Sequence, residues 1–287
     1  MNISVVIAYY AGLPVLDDQL AALAAQDFTG EFEVIVSDNE GSAALREHID
    51  GHRYRERLAL RWIDSSDVAG TSHARNVGTR AAAYDFIVYC DQDDAVHPGW
   101  LSAMSRAAAD ADIVGGPLER DSLNDPVVAS WRALGDPREP EVLGRFLPIT
   151  FGCNLGVRRS VFDAVGGWDE TYPTAGGDVE FCWRIQTSGY RFGWAPEAMV
   201  AYRYRTRMRE SWNQVVEYGR EEARVAKQYG APGRQWWWTS IHAGVVLVLL
   251  PVWPWAWSRR RRGEWVWITG NLVGRLWGSV KYRVVYL

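Results

Sequence analysis

The segment "FIVYCDQDDA", residues 86–95, joins four apolar residues to three carboxylates that lie within four positions. Its first part, Phe86 to Tyr89, has the composition of a strand that is buried on both faces. The acids that follow repel one another, and each raises the free energy of ionising the next. We therefore expect a positive group where this strand leaves the core.

Strands and helices alternate along the first half of the chain. Short apolar runs predict strands at residues 3–8, 32–36, 58–63, 86–89 and 113–114. A helix with Leu16, Leu20 and Leu23 on one face follows the first run, and an Ala-rich helix is predicted at 71–83. This order predicts right-handed crossovers and an α/β, Rossmann-like, mostly parallel sheet flanked by helices. Ligands of such a sheet gather at the carboxyl ends of its strands.

Two acidic segments follow predicted strands. "SDNEGS" (37–42) comes after the second strand and "CDQDD" (90–94) after the fourth, so we expect them to be neighbours at one edge. In a D-x-D arrangement, carboxylates can bind a divalent ion and leave positions open for substrate phosphates. A solvated acidic turn is the alternative. An EF-hand is excluded, because Val96 and Ser102 stand where that loop has Gly and Glu.

The predicted helix "GTSHARNVGTRAA" (70–82) places a cation close to helical N–H groups. Arg75 lies in its first turns, where both could meet an anion. An ordinary capped helix with a surface arginine is the alternative. Prolines interrupt residues 117–150, and further helices are predicted from Val179 to Gly189 and at 211–229.

Six segments in this order resemble those of family 2 glycosyltransferases with the GT-A fold. They are "SVVIAYY", "VIVSDNEGS", "ARNVGTRAA", "CDQDD", "GCNLGVRRSVFDAVGGWDE" and "GGDVEFCWRIQTSGY". The resemblance covers roughly residues 3–230. It implies an inverting enzyme that binds a nucleotide-diphosphate sugar, with Mg or Mn as cofactor, and transfers the sugar to a hydroxyl acceptor.

The resemblance also implies roles for individual residues. Asp178 is the catalytic base, with Glu180 as the second candidate, and metal contact falls to Asp93 and Asp91, with Asp94 weaker. The donor-binding residues are Ala8, Tyr10, Asp38, Arg75, Asn76 and Asp91. The acceptor-binding residues are Trp168, Asp169, Glu180 and Trp183. Independently of the resemblance, an attacking hydroxyl needs a carboxylate to accept its proton. The alternative for Asp178 is a helix N-cap, which aspartate favours.

The chain departs from the family pattern at three places. Ala8 stands where proline is usual, and Gly177 replaces the acid that commonly precedes the base. The segment "AYRYR" (201–205) replaces a frequent histidine, so a third ligand on the metal side stays open.

Two rival functions remain: a sugar nucleotidyltransferase, and a non-catalytic nucleotide-sugar-binding or membrane scaffold module. A sugar nucleotidyltransferase normally has a basic loop after its first strand. The corresponding segment here, "YYAGLPVLDD" (9–18), has no Lys or Arg.

The net charge of −4 hides a difference between the two ends of the chain. From Arg234 onward the chain has eight basic residues, one acid and nine of its 16 tryptophans. We therefore predict a GT-A domain at 1–233 and a helical, membrane-associated region at 234–287. Residues 236–257 favour a re-entrant hairpin over a full span, and 265–285 an amphipathic interfacial helix. A tail packed wholly against protein is the alternative.

The remaining expectations concern the surroundings of the chain. Its first residues show no basic region before a long apolar stretch, so no secretory signal is predicted. Cys90, Cys153 and Cys182 are too far apart for a zinc motif, which favours reduced thiols. We expect the cytoplasmic face of a membrane, a polyprenyl-linked or other lipid acceptor, and no nucleic-acid partner.

Overall fold

The computed structural model describes residues 1–231 and 258–286. The helices in this part of the chain are α1 (Leu13–Ala24), α2 (Ala43–Asp50), α3 (Thr71–Ala81), α4 (Trp100–Ala107), α5 (Pro126–Ala129), α6 (Arg159–Val165), α7 (Gly177–Thr187), α8 (Met208–Tyr229) and α9 (Arg259–Tyr282). The strands are β1 (Ile3–Tyr9), β2 (Phe32–Asp38), β3 (Leu60–Asp64), β4 (Phe86–Asp91), β5 (Ala95–Val96), β6 (Ile113–Gly115), β7 (Leu118–Glu119), β8 (Glu141–Val142), β9 (Pro148–Ile149), β10 (Leu155–Arg158), β11 (Phe192–Trp194) and β12 (Val200–Ala201).

A seven-stranded sheet forms the centre of the fold, in the order β11-β6-β10-β4-β1-β2-β3. All its strands run in one direction except β10, which is antiparallel to both β4 and β6. The predicted α/β class with a mostly parallel, helix-flanked sheet is thereby confirmed. Two strands of this sheet were not predicted, β10 and β11, because their segments "LGVR" and "FGW" are short and contain glycine.

The two acidic segments lie on opposite sides of β1. Tyr9 of β1 pairs with Asp38 of β2, and Ala8 pairs with Asp91 of β4. The prediction that the acidic segments are direct neighbours is wrong, because a whole strand separates them. Both still end at the same edge of the sheet, and the chain reverses its direction of winding between β1 and β4, which is where open α/β sheets bind ligands.

The strands next to this edge are buried, as their apolar composition predicted. Val5, Val6, Val34 and Val88 have no exposed surface, as expected for strands with helices packed on both faces. On α1, the predicted stripe of Leu16, Leu20 and Leu23 is likewise fully buried. A second sheet, of order β5-β12-β7, consists of strands of two residues each. Strands of this length are too short to be predicted from a hydrophobic pattern in the sequence.

The chain divides into two compact units. The first comprises Met1–Glu119, Gly135–Glu141 and Pro148–Tyr202, and the second comprises Arg120–Leu134, Val142–Leu147 and Arg203–Leu287. Helix α8, which we placed with the catalytic domain, thus groups with the C-terminal helix α9. The predicted boundary at 233/234 and the predicted hairpin at 236–257 lie outside the described residues.

The second unit is organised around the pair α8 and α9. A Cβ on Gly278 of α9 would stand 2.6 Å from the carbonyl oxygen of Arg220, and one on Gly219 of α8 would stand 2.9 Å from the N atom of Arg275. Glycine therefore lets the two backbones approach closely. Within 1–231 and 258–286, no helix combines the length and the apolar character that crossing a membrane requires.

Candidate functional site

Two glutamines hold the acidic turn that follows β4. Gln19 of α1 has no exposed surface; its Nε2 donates to the carbonyl of Asp91 at 3.0 Å, and its Oε1 accepts from the N–H of Val96 at 3.0 Å. Gln92 accepts from the N–H of Tyr10 at 2.8 Å and so fastens the loop after β1. Neither residue was predicted from the sequence. A glutamine inside the apolar stripe of α1 was the available signal, because a buried amide needs polar partners.

Among the donor residues from β1, Tyr10 is 70% exposed and Ala8 keeps some exposure at the strand's end. Both lie at the rim where Gln92 joins the β1 and β4 loops. Their positions are compatible with contact to a ligand at this edge, and their donor-binding role stays a prediction.

Arg75 of α3 supplies the positive group expected beside the acids. Its Nη2 donates to Oδ1 of Asp91 at 2.9 Å, and its guanidinium lies 4.7 Å from the ring centre of Trp168. The side chain is 10% exposed, so the charge is held in a fixed place near the end of β4. A Cβ on Gly152 would stand 2.5 Å from Nη1, so the guanidinium also rests against the backbone there.

Asp178 occupies the second position of α7, one residue after Gly177. The N-cap of this helix is Gly176, so the N-cap alternative for Asp178 is wrong. The carboxylate accepts from the N–H of Val179 at 2.9 Å and from that of Gly152 at 3.3 Å. Burial raises its pKa, and the charge of Arg75 and these N–H groups oppose the rise.

The acids from β4 and α7 share one neighbourhood. Burial raises the pKa of the Cys153 thiol well above its ordinary value, and the negative charges of Asp94, Asp91 and Asp178 raise it further, while Arg75 lowers it. Three carboxylates and one cation thus act on one buried atom, although they come from segments separated by about a hundred residues in the sequence. The structure brings the predicted base, the acidic turn and the arginine together.

Asp38 and Asn76 do not point their polar atoms at this neighbourhood. The Asp38 carboxylate has no exposed surface and accepts from the N–H groups of residues 40, 41 and 42 and from the indole of Trp62. Asn76 is 2% exposed, and its amide bonds to the backbone of Trp168 and to Glu170. The polar groups of both residues are engaged within the protein, and their donor-binding role stays a prediction.

The four predicted acceptor residues have different surroundings. Trp183 is fully buried, and Glu180 is 1% exposed and bound to Arg184 at 2.8 Å, so neither is placed to touch an acceptor. Because that ion pair also engages its carboxylate, Glu180 is a poor second candidate for the base. Trp168 is 2% exposed and stacks on Phe181 at 4.3 Å, which makes its role support of Arg75. Asp169 keeps partial exposure, and its acceptor role stays a prediction.

Within the described residues, one group able to hold a metal ion lies at this edge. It consists of Asp91, Asp94 and Cys153, whose ligand atoms lie within 4.8 Å of one another. The two carboxylates suit the Mg²⁺ or Mn²⁺ that we predicted, whereas the Cys153 thiol is a soft ligand that these ions do not favour. Asp93, our first choice for metal contact, is part-exposed and is not a member of this group, whereas the weaker choice Asp94 is.

A second group with metal-binding side chains is formed by Asp17, His48 and His52 on α1 and around the end of α2. His48 Nε2 lies 2.7 Å and His52 Nε2 lies 3.4 Å from Oδ1 of Asp17. The N–H of Tyr54 donates to Nδ1 of His52 at 3.2 Å, which places the proton of the neutral ring on Nε2. Because that atom then has no lone pair to offer, we place no metal here.

His73 joins α3 to the loop that carries Trp168. Its two ring nitrogens lie 2.9 Å from Glu170 and 2.9 Å from Asp67. Burial works against protonation of this ring, but hydrogen bonds and charges from Glu170 and Asp67 outweigh it, so the pKa of His73 is raised. This ion network supports the loop beneath Arg75.

A mostly parallel sheet with a carboxylate-rich turn and a fixed arginine at its switch point is typical of α/β proteins that bind ligands at this edge. The chain matches the model described as Glycosyl transferase family 2 over residues 4–166 and that described as Glycosyl transferase family group 2 over residues 86–281. The chain belongs to family 2 of the glycosyltransferases.

Curated relatives show the same relationship. A pre-mycofactocin glycosyltransferase of Mycobacterium tuberculosis is 29% identical over 168 residues, which cover 56% of this chain and 36% of the relative. The chondroitin synthase of Pasteurella multocida is 27% identical over 229 residues, covering 67% of this chain and 24% of that protein. The chain thus spans about a third or less of the length of these two relatives.

Solved structures confirm the GT-A type of fold. The mannosyltransferase PcManGT of Pyrobaculum calidifontis, in complex with GDP-Man and Mn²⁺, superposes with a TM-score of 0.58 at 18% identity, covering 96% of this chain and 87% of that one. Residues 1–349 of S. aureus TarS, in complex with UDP-GlcNAc, give a TM-score of 0.57 at 15% identity, covering 100% of this chain and 93% of that one.

Proposed function

We propose that this chain is an inverting glycosyltransferase that moves a sugar from a nucleotide-diphosphate donor to a hydroxyl acceptor. The observation that carries the proposal is the meeting of Asp178, Arg75 and the β4 carboxylates around Cys153. The complexes of the neighbours with GDP-Man and with UDP-GlcNAc support a donor of this kind. A lipid-linked acceptor and a position at the cytoplasmic face of a membrane belong to the same proposal.

In this reaction Asp178 accepts the proton of the attacking hydroxyl. A carboxylate whose pKa is raised by burial is a stronger base than an exposed one, and Arg75 and two backbone N–H groups oppose the rise. The position of Asp178 at the start of α7 also lets the helix dipole stabilise the ionised form.

Arg75 acts on the donor side of the proposed reaction. Its fixed guanidinium can donate to the diphosphate of the donor and stabilise the charge that develops as the diphosphate leaves. Asp91 and Asp94 would hold a divalent cation beside Cys153, and Asp93 is the neighbouring carboxylate that could reach it from the exposed side of the turn. Bound Mg²⁺ or Mn²⁺ would supply Lewis-acid stabilisation of the leaving diphosphate.

Donor binding and turnover test this proposal separately. We would first measure thermal shifts with UDP-, GDP- and dTDP-sugars, with and without Mn²⁺, because a ligand of the folded state raises its apparent stability. Asp178→Asn should then abolish turnover of the donor so identified and keep its affinity. Asp163→Asn, an exposed acid on α6, is the matched control and should keep both.

The same measurements separate the rival functions. Donor binding without turnover in the native protein would favour the non-catalytic nucleotide-sugar-binding module. Undiminished turnover in Asp178→Asn would remove the assignment of the base. If no nucleotide sugar changes the melting temperature and no turnover is found with any of them, the proposed function is wrong.

A further inference from the structure

Helix α9 has two unlike faces. On one face, Gly270, Gly274 and Gly278 lie against α8, so that a Cβ on Gly270 would meet Val215 at 3.4 Å and one on Gly278 would meet Arg220 at 2.6 Å. Arg275 on this side is 8% exposed and pairs with Glu222 of α8 at 2.8 Å. This face is therefore fully used in packing the second unit.

The opposite face exposes large apolar side chains. Five of them lie within the helix and are between 42% and 79% exposed: Ile268, Val273, Leu276, Trp277 and Val280. At 100° per residue they spread over about one half of the helix, and Trp277 lies at the margin next to the glycine face, where the guanidinium of Arg220 is 5.3 Å from its ring. Exposed apolar area of this extent is unfavourable in water and marks a surface that binds something.

Basic residues stand at both ends of this apolar face. Arg259 to Arg262 are all exposed at its start, and Lys281 and Arg283 are exposed at its end. Glu264 is the one acid in the sequence of α9, and it is engaged by Arg260 at 2.9 Å. The face is thus apolar in its centre and positively charged at its ends.

We propose that this face of α9 docks in the plane of an anionic phospholipid bilayer. Apolar side chains would enter the boundary between headgroups and acyl chains, and the arginines and lysine would meet lipid phosphates. The charge distribution of this face favours an anionic bilayer over another protein segment as its partner. A second copy of α9 would bring basic ends against basic ends in either orientation, and residues 232–257 contain no Asp or Glu to neutralise them.

Vesicle co-sedimentation of the full chain, without donor, tests the proposal independently of catalysis. We expect binding to vesicles containing a quarter phosphatidylglycerol in phosphatidylcholine, weaker binding at high ionic strength, and little binding to phosphatidylcholine alone. Replacing Arg259 to Arg262 by Gln should weaken binding about a hundredfold, counting the three arginines other than Arg260 at roughly 1 kcal/mol each.

The apolar contribution needs its own variant. I268Q/L276Q/V280Q removes exposed side chains and should weaken binding at least tenfold, by about 1.4 kcal/mol or more, while leaving the circular dichroism spectrum and melting temperature unchanged. The matched control replaces four exposed arginines of the first unit, R46Q/R53Q/R55Q/R57Q, and should bind as the native chain does.

Three outcomes would overturn the proposal. They are failure of the native chain to bind anionic vesicles, equal loss of binding in the control, and unchanged binding in I268Q/L276Q/V280Q. If the native chain does not bind vesicles and light scattering shows a changed oligomeric state in that variant, the face binds a second copy of the chain instead. None of these outcomes bears on donor binding or turnover, so proposed glycosyl transfer stands or fails separately, whereas the membrane position included in the proposed function fails with this proposal.

Discussion

Replacing Gly152 by alanine should displace Arg75 and leave Asp178 in place. A Cβ at this position would stand 2.5 Å from Nη1, 2.6 Å from Nη2 and 2.7 Å from Cζ of Arg75, whereas ordinary contact begins at 3.4 Å. The guanidinium must therefore move by about 1 Å. Gly152 has no left-handed φ, so alanine adds no backbone strain. The N–H that donates to Asp178 is unchanged.

The size of the effect follows from what Arg75 loses when it moves. Its ion pair with Asp91 at 2.9 Å and its position over Trp168 cannot both be kept. A charge-assisted hydrogen bond contributes about 1.5–3 kcal/mol, so donor affinity should fall by roughly ten- to a hundredfold if Arg75 binds the diphosphate. Overpacking adds about 1–3 kcal/mol of destabilisation, or a melting temperature lower by several degrees.

The assay is donor titration by calorimetry beside thermal melting. Gly135→Ala is the matched control, because its Cβ would meet Glu141 only at 3.9 Å and its φ is ordinary. We expect the control to match the native protein in both measurements. Donor affinity of Gly152→Ala within twofold of the native value would refute the assignment of Arg75 to the donor site.

Three further outcomes can be measured on single variants. Because burial raises the pKa of Asp178 above its ordinary 3.8, turnover should fall as pH drops through that raised pKa, and the acid limb of the pH–rate profile should lie above pH 3.8. His73 has a folded pKa raised above 6.5, so its contribution to stability is complete below pH 6.5 and is lost as pH rises through the folded pKa; His73→Gln should lower the melting temperature at pH 6 more than at pH 9. Cys153→Ala should remove the thiolate charge-transfer absorption of bound Co²⁺ if Cys153 is a metal ligand, and should leave a weaker all-oxygen site.

Much of the fold could be read from the sequence because its strongest signals are local. The runs at β1, β2 and β4 are β-branched and continuous, and such segments form buried strands with little help from context. Strand β10 could not be found in this way. Its four residues pair with both β4 and β6, and only those long-range neighbours make a strand of so short a segment.

The site was predictable in its location and less so in its contacts. The edge that carries Asp91 and Asp178 follows from strand order and from the family resemblance. The use of each polar atom does not, because hydrogen bonds such as those of Asp38 and Asn76 depend on loops whose paths are not encoded in spacing. Gln19 shows the reverse case, in which a residue without an evident role holds the acidic turn.

Arg75 connects the two halves of the proposed reaction through charge. Its guanidinium, bonded to Asp91, lowers the pKa of Asp178 and so opposes the larger effect of burial. A diphosphate bound to Arg75 brings negative charge to the same place and offsets the charge of the arginine. Arg75 then lowers the pKa of Asp178 less, and the effect of burial raises that pKa further. Asp178 would then become a stronger base when donor is bound. In the proposed reaction, proton acceptance would thus be linked to the presence of the bound donor.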